Sequence, residues 1–531
     1  MRKHGLLVLA TIILVAVPAA SRATDGERSM REMRREAAHR TRRIIFNNDG
    51  NDAVYQCDEA TREELLSKRT APLADSQVDA IFYCPWSAGF GQFTMRSDVA
   101  ELFDTTDRIF DKNITGALVQ QGTDPLQIMV QWCREHDVEI FWSMRMNDVH
   151  DGAISDGELY YPELFPQFKR DHPEYLIGQQ GQRFPGLGSG RCWSGVNYAE
   201  QAVRDRAFAI IEDVCNRYDI DGIELDFFRH LIYFRNHATE GAASRQDLEK
   251  MTNLLRRVRR MADEVGAARG RPILISVRVP DSVELSERVG LNIQRWLADD
   301  LVDIMTVSGY FRLRPWGDSV ALGRRYGVPV YAGLSESRVG DDEARRARMT
   351  PQAYRARAMN AWQDGCAGIY LFNLFNPTSP IWRELGEVDD LRTMDKTYFA
   401  AVRGPRAIGG FLTGGEEYNE LPTLCPDRPE ELHRGEAERT RVEIGEGLGA
   451  AEPEPEVTLS VQITGLQEPG DVEVQVNGQQ VTGGVRDEDW LRFTPQHELF
   501  AVGYNDVEVT LRAEREPAPV WRDVRVDVNY P

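Results

Sequence analysis

Glu224 and Asp226 stand two residues apart in the stretch Tyr218-Asp219-Ile220-Asp221-Gly222-Ile223-Glu224-Leu225-Asp226-Phe227-Phe228-Arg229-His230. Ile220, Ile223, Leu225, Phe227 and Phe228 make this a buried strand, and residues two apart on a strand share one face. Two carboxylates inside an apolar strand are costly unless something pairs with them or uses them. Paired carboxyl groups are what glycoside hydrolysis requires. One protonates the leaving oxygen, and the other attacks the sugar or activates water. A second carboxylate, Glu336, closes the apolar run that begins at Val328. Asp226, nearer its strand end, is expected as general acid/base, and Glu336 as nucleophile or its inverting equivalent. Glu224, one layer deeper, would tune the acid through like-charge proximity. The structural alternative makes Glu224 and Asp226 an ion network held by Arg145, Arg229 or Arg278, and Glu336 a solvated loop carboxylate.

These groups need a scaffold that gathers them. Eight apolar runs read as strands: 43–49, 79–86, 138–148, 218–228, 272–279, 302–310, 328–336 and 368–373. Helical spacing falls between them at 126–136, 199–217, 246–265, 285–299, 318–326, 351–364 and 381–391, with a charged helix at 27–40 ahead of the first. Near-continuous apolar strands alternating with helices indicate a parallel sheet, and eight repeats indicate an α/β fold of the (β/α)8 TIM barrel type over 24–405. An open doubly wound sheet would want a glycine-rich turn after its first strand, and Asn47-Asn48-Asp49-Gly50-Asn51 is not one.

In such a barrel the site lies at the carboxyl ends of the strands. The polar and aromatic residues there are Asp49, Trp86, Arg145, Asn147, Asp148, Arg229, His230, Arg278, Tyr310 and Asn373. Aromatic faces stack on pyranose rings, and Arg and Asn bind hydroxyls, so these are the expected substrate contacts. Residues 149–196 form an insertion too long for an ordinary loop and rich in Tyr, Phe, Pro and Gly. Its aromatics, Trp193 among them, either wall the cleft or form the loop's own core; Trp193 is taken as a substrate contact.

The chain has 531 residues and a net charge of −21, with no dense Lys/Arg cluster, which disfavours a nucleic-acid partner. Residues 1–23 read as a secretory signal peptide, so a secreted or periplasmic protein without membrane insertion is expected. Seven widely spaced Cys include no C-x-x-C pair and read as buried small hydrophobes with at most one disulfide. No H-x-H or H-E-x-x-H pattern occurs among nine His, so no metal or other cofactor is expected. Residues 406–531 change texture. A Glu-, Arg- and Pro-rich linker over 427–456 precedes period-2 strands and an Asn477-Gly478 turn, which predict a small C-terminal β-sandwich.

The run Asn197-Tyr198-Ala199-Glu200-Gln201-Ala202-Val203-Arg204-Asp205, followed by Tyr218 to Arg229, resembles the glycosyl hydrolase-like family 10 proteins of bacteria. The resemblance implies an exported glycosidase-type barrel, often with an appended β-sandwich, and implies no substrate. The fourth strand also resembles the family-18 chitinase signature D-G-x-D-x-D-x-E. Asp221, Gly222 and Asp226 match, Glu224 replaces an Asp, and the catalytic Glu falls on Phe228. Retaining glycosidases that carry their acid/base on strand four and nucleophile on strand seven are similar in Glu336, although they carry Asn-Glu on strand four. The expected function is an exported glycoside hydrolase acting on a poly- or oligosaccharide. The alternative is a carbohydrate-binding barrel without catalysis, which Phe228 favours.

Overall fold

The structure is a computed structural model that describes residues 25–86, 88–403, 406–513 and 515–531; the expected signal peptide lies outside them. Eight parallel strands close into a barrel: β1 (Ile44–Asn48), β2 (Val78–Tyr83), β3 (Glu139–Arg145), β4 (Gly222–Asp226), β5 (Leu274–Val279), β6 (Ile304–Val307), β7 (Val330–Leu334) and β8 (Gly368–Leu371). They pair in chain order, and β1 closes the ring on β8 through Ile44–Ile369 and Phe46–Leu371. β1, β4, β5, β6, β7 and β8 are buried at every residue, which is why they read as continuous apolar runs rather than alternating ones.

The register decides what surrounds β4. Glu224 lies level with Ser143 on β3 and Ser276 on β5, and Asp226 lies level with Arg145 and Arg278. Level partners in a parallel sheet share a face, so two small hydroxyls flank the deeper carboxyl and two guanidiniums flank the upper one. Gly222 makes this register possible. A Cβ there would sit 2.2 Å from the Phe141 ring and 2.8 Å from the Leu274 carbonyl.

The helices read from sequence appear in the expected order, and two of them are broken. The helix read over 285–299 is two short ones, Val283–Arg288 and Ile293–Ala298, because Gly290 takes a left-handed φ of 101° between them. The segment read over 381–391 is likewise Ile381–Glu384 and Val388–Leu391.

The insertion is ordered around its own aromatics. Phe165 stacks on Trp193 at 5.8 Å, and Phe168, His172 and Tyr175 pack together. Asn147 clips the insertion to the barrel: its amide donates to the carbonyls of Val196 (2.9 Å) and Ile232 (2.5 Å), and its oxygen accepts the Val196 amide (2.9 Å).

Two antiparallel sheets form the C-terminal sandwich. One contains Ala437–Ile444, Gly503–Leu511, Val472–Val476 and Gln479–Val481, with Asn477 (φ 50°) and Gly478 (φ 77°) making the tight turn. The other runs Val485–Asp487, Trp490–Phe493, Glu456–Thr464, Val520–Asn529 and Lys396–Phe399. Two expectations change here. Ala437–Ile444 is a strand inside the stretch read as linker, hidden from sequence because its exposed face is charged. Lys396–Phe399, assigned to the barrel from sequence, belongs to the sandwich by pairing with Val520–Asn529. A buried ion pair, Arg348 to Asp523 at 2.7 Å, ties the two units together. All seven Cys are buried and none is in a disulfide, in line with the reading as buried small hydrophobes.

Candidate active site

Glu224 is fully buried. Ser143 Oγ (2.5 Å) and Tyr370 OH (3.1 Å) both donate to its Oε2, while its Oε1 has no hydrogen-bond partner. Burial, then the neighbouring Asp226 charge, pushes its carboxyl up to about 7, with Arg278 and the two hydroxyls opposing. Glu224 can therefore carry a proton near neutral pH. Asp226 is 3% exposed. Its Oδ1 accepts the backbone amides of Phe228 (2.9 Å) and Arg229 (3.1 Å), and its Oδ2 lies 3.6 Å from Arg278. The Arg278 guanidinium is fully buried and rests 3.9 Å from the centre of the Phe372 ring.

A second network occupies the β1–β3 side. Arg145 meets Asp148 at 3.2 Å and Asp49 at 3.5 Å, and Asp49 also takes Arg69 at 3.0 Å. His150 Nδ1 lies 2.8 Å from Asp148, and its Nε2 lies 2.7 Å from the Arg229 guanidinium. His230 Nδ1 approaches Asp148 at 3.9 Å. Burial opposes charge on Asp148, but His150, His230 and Arg145 outweigh it and hold the carboxyl well below the usual range. Burial, with Arg229 adding to it, lowers both histidines against the pull of Asp148.

Asp148, His150 and His230 bring their ligand atoms within 4.8 Å of one another, so by residue type they could hold a metal ion. The sequence reading missed His150; Asp148-x-His150 at a strand end was the available signal. Two guanidiniums already touch this trio, Arg145 on Asp148 and Arg229 on His150, and they oppose a cation there.

The opposite side of the mouth holds Glu336, two residues past β7. Arg338 contacts its Oε1 at 2.7 Å, Asn373 Nδ2 at 3.4 Å, and its Oε2 has no hydrogen-bond partner. Tyr310 stacks on Phe411 at 5.2 Å and meets Phe372 edge-on at 5.0 Å. Trp86 (φ 47°), Ser308 (φ 71°) and Asn373 (φ 57°), just beyond β2, β6 and β8, take left-handed backbone without being glycine.

Of the residues singled out from sequence, Asp49, Arg145, Asp148, Glu224, Asp226, Arg229, His230, Arg278, Tyr310, Glu336 and Asn373 gather at the mouth. Three stand apart. Asn147 spends its amide on the insertion. Trp86 packs with Tyr55 and Phe103 in a satellite cluster. Trp193 is 2% exposed and donates its indole N–H to the Gly152 carbonyl, inside the insertion's core rather than on a cleft wall.

No family model matches the chain, and no curated protein matches it. Among solved structures, the glycoside hydrolase domain of PgaB (BpsB) from Bordetella bronchiseptica is 10% identical, with a TM-score of 0.41 over 66% of this chain and 99% of that one. A family 18 N-acetylglucosaminidase from Paenibacillus barengoltzii is 13% identical, with a TM-score of 0.35 over 66% and 98%. A family 18 chitinase from Chromobacterium violaceum is 12% identical, with a TM-score of 0.34 over 92% and 88%. These likenesses do not bear on the residues of the mouth.

Proposed function

We propose that the protein is a glycoside hydrolase that uses the carboxylates at the barrel mouth on a poly- or oligosaccharide. The observation that carries this reading is the Glu224–Asp226 pair. A buried carboxyl poised near 7 lies one layer beneath a second carboxyl at a strand's carboxyl end. Burial that keeps one of two neighbouring carboxyls protonated lets it serve a different purpose from its neighbour. Asp226 is the acid/base, Glu224 sets its charge environment from below, and Glu336 across the mouth is the nucleophile or the base for water.

A purely structural ion network would be satisfied. Here Glu224 Oε1 and Glu336 Oε2 are buried without hydrogen-bond partners, and Arg278 reaches Asp226 only at 3.6 Å. Partnerless carboxylate oxygens near the strand ends support a site that receives a ligand. The proposed setting is a secreted or periplasmic one, which rests on the segment 1–23.

Reducing-end release from a panel of polysaccharides tests the assignment. Asp226→Asn and Glu336→Gln should each lower turnover by about a hundredfold or more. Unchanged turnover in either variant removes that residue from its role. One observation favours a second reading, glycan binding without hydrolysis. Phe228 fills the position of the acid in the chitinase-like signature, and its ring packs 4.7 Å from Phe311. Glycan affinity with no turnover on any substrate would select it.

A further inference from the structure

The open cleft above β4, β6 and β8 encloses about 450 Å³, within the usual range of ligand sites. Its wall includes Arg191 from the insertion, Arg229 after β4 and Arg338 after β7, together with His150, His230 and Tyr310. Among the described residues none that lines it is acidic. The chain as a whole carries 84 acidic against 63 basic side chains, so this wall departs sharply from its surroundings.

The acids nearby do not neutralise it. Asp49 and Asp148 are held by Arg69, Arg145 and His150, and Asp226 faces the level Arg278 and accepts two backbone amides. Glu336 is paired with Arg338. Among the described residues no carboxylate pairs with the guanidinium of Arg191 or of Arg229. The Arg229 guanidinium meets the His150 ring and the face of Tyr310 at 4.9 Å, and among the described residues its buried Nε has no acceptor. Arg338 covers the same tyrosine ring at 4.1 Å. Two guanidiniums on one aromatic ring repel each other, and one of them lacks a counter-charge. An arginine fork with a free donor edge is the geometry that receives a planar or tetrahedral oxyanion.

We infer that the substrate is an acidic glycan, and that Arg191 and Arg229 bind a carboxylate or sulfate group on the sugar that occupies this cleft. Both anions present the same chemistry to the two guanidiniums. The inference deepens the proposed glycosidase reading and rests on it for the ligand being a sugar. Tyr310, backed by Phe411, supplies the apolar surface for the ring, and the arginines fix which substituent faces them.

Equilibrium binding to the full chain separates the two ideas, because it does not need turnover. The probes are an oligogalacturonate, the same oligosaccharide with its carboxyls reduced to alcohols, and a sulfated oligosaccharide. At least one acidic probe should bind about tenfold to a hundredfold more tightly than the reduced one, and the preference should weaken with salt. Arg191→Gln and Arg229→Gln should each remove most of that preference, lowering affinity for the acidic probe far more than for the reduced one. Arg191 is exposed, so its variant carries no folding cost that would confuse the result. The tighter acidic probe identifies carboxylate or sulfate. Equal affinity for acidic and reduced probes, absence of binding to either acidic probe, or a preference untouched by both variants overturns the inference. Acidic-glycan binding without any hydrolysis would instead overturn the hydrolase reading and leave this one standing.

Discussion

Glu224 and Asp226 rise from one strand, and the fold treats them oppositely. The lower carboxyl is sealed from water and pushed up to about 7 by burial and by its neighbour. The upper one is anchored by the amides of Phe228 and Arg229 and faces the Arg278 guanidinium at 3.6 Å. Their separate treatment follows from a single register, which sets serines beside one and arginines beside the other.

Replacement of Glu224 by Gln tests its proton. The folded-state value lies above that of an ordinary glutamate, 4.5, so the fold favours the protonated form. That contribution is complete below pH 4.5. It declines as pH rises through the window from 4.5 to about 7, by roughly 3 kcal/mol, and is flat beyond. Glu224→Gln has no such slope. The melting temperature of the wild type should therefore fall across this window relative to the variant. Parallel curves for the two proteins would contradict a raised value.

The two hydroxyl donors set how far that value rises. Ser143 and Tyr370 both bond the charged form and so hold it down. Ser143→Ala or Tyr370→Phe should raise Glu224 by roughly half to one pH unit, since each removes about 1 kcal/mol of hydrogen bonding. The carboxyl carbon's chemical shift reads this directly, and the basic limb of the pH–rate profile should move with it. A downward move would show that the hydroxyls do not stabilise the carboxylate.

The sandwich is expected to be part of the barrel's stability rather than a detachable module. Arg348 and Asp523 are both buried, and the strand Lys396–Phe399 finds its partner only in Val520–Asn529. Asp523→Ala leaves a buried guanidinium without its charge and should cost roughly 3–5 kcal/mol. Denaturant unfolding would register this as one shifted transition. A change below about 1 kcal/mol would mean that the pair contributes little.

The cysteines offer a check on packing. Burial pushes the thiols of Cys57, Cys192 and Cys215 up to about 12. No thiol should react with a colorimetric disulfide reagent in the native protein, and seven should react after unfolding in guanidinium. Fewer than seven would reveal a disulfide.

Sequence by itself determined the barrel, because eight apolar runs alternate with helical spacing and the first strand lacks the glycine-rich turn an open doubly wound sheet would want. It also determined which carboxylates stand at strand ends, since a strand's two-residue period places Glu224 and Asp226 on one face without reference to anything distant. It did not determine the environment of those groups. Whether Glu224 meets a serine or a guanidinium depends on the relative stagger of β3, β4 and β5, a long-range quantity that no local pattern encodes. The same limit hid His150 beside Asp148, moved Trp193 into the insertion's core and turned Lys396–Phe399 into a sandwich strand. Each outcome was decided by what lay opposite in space. The cationic wall of the cleft likewise exists only because the fold brings Arg191, Arg229 and Arg338 together from three separate segments of an acidic chain.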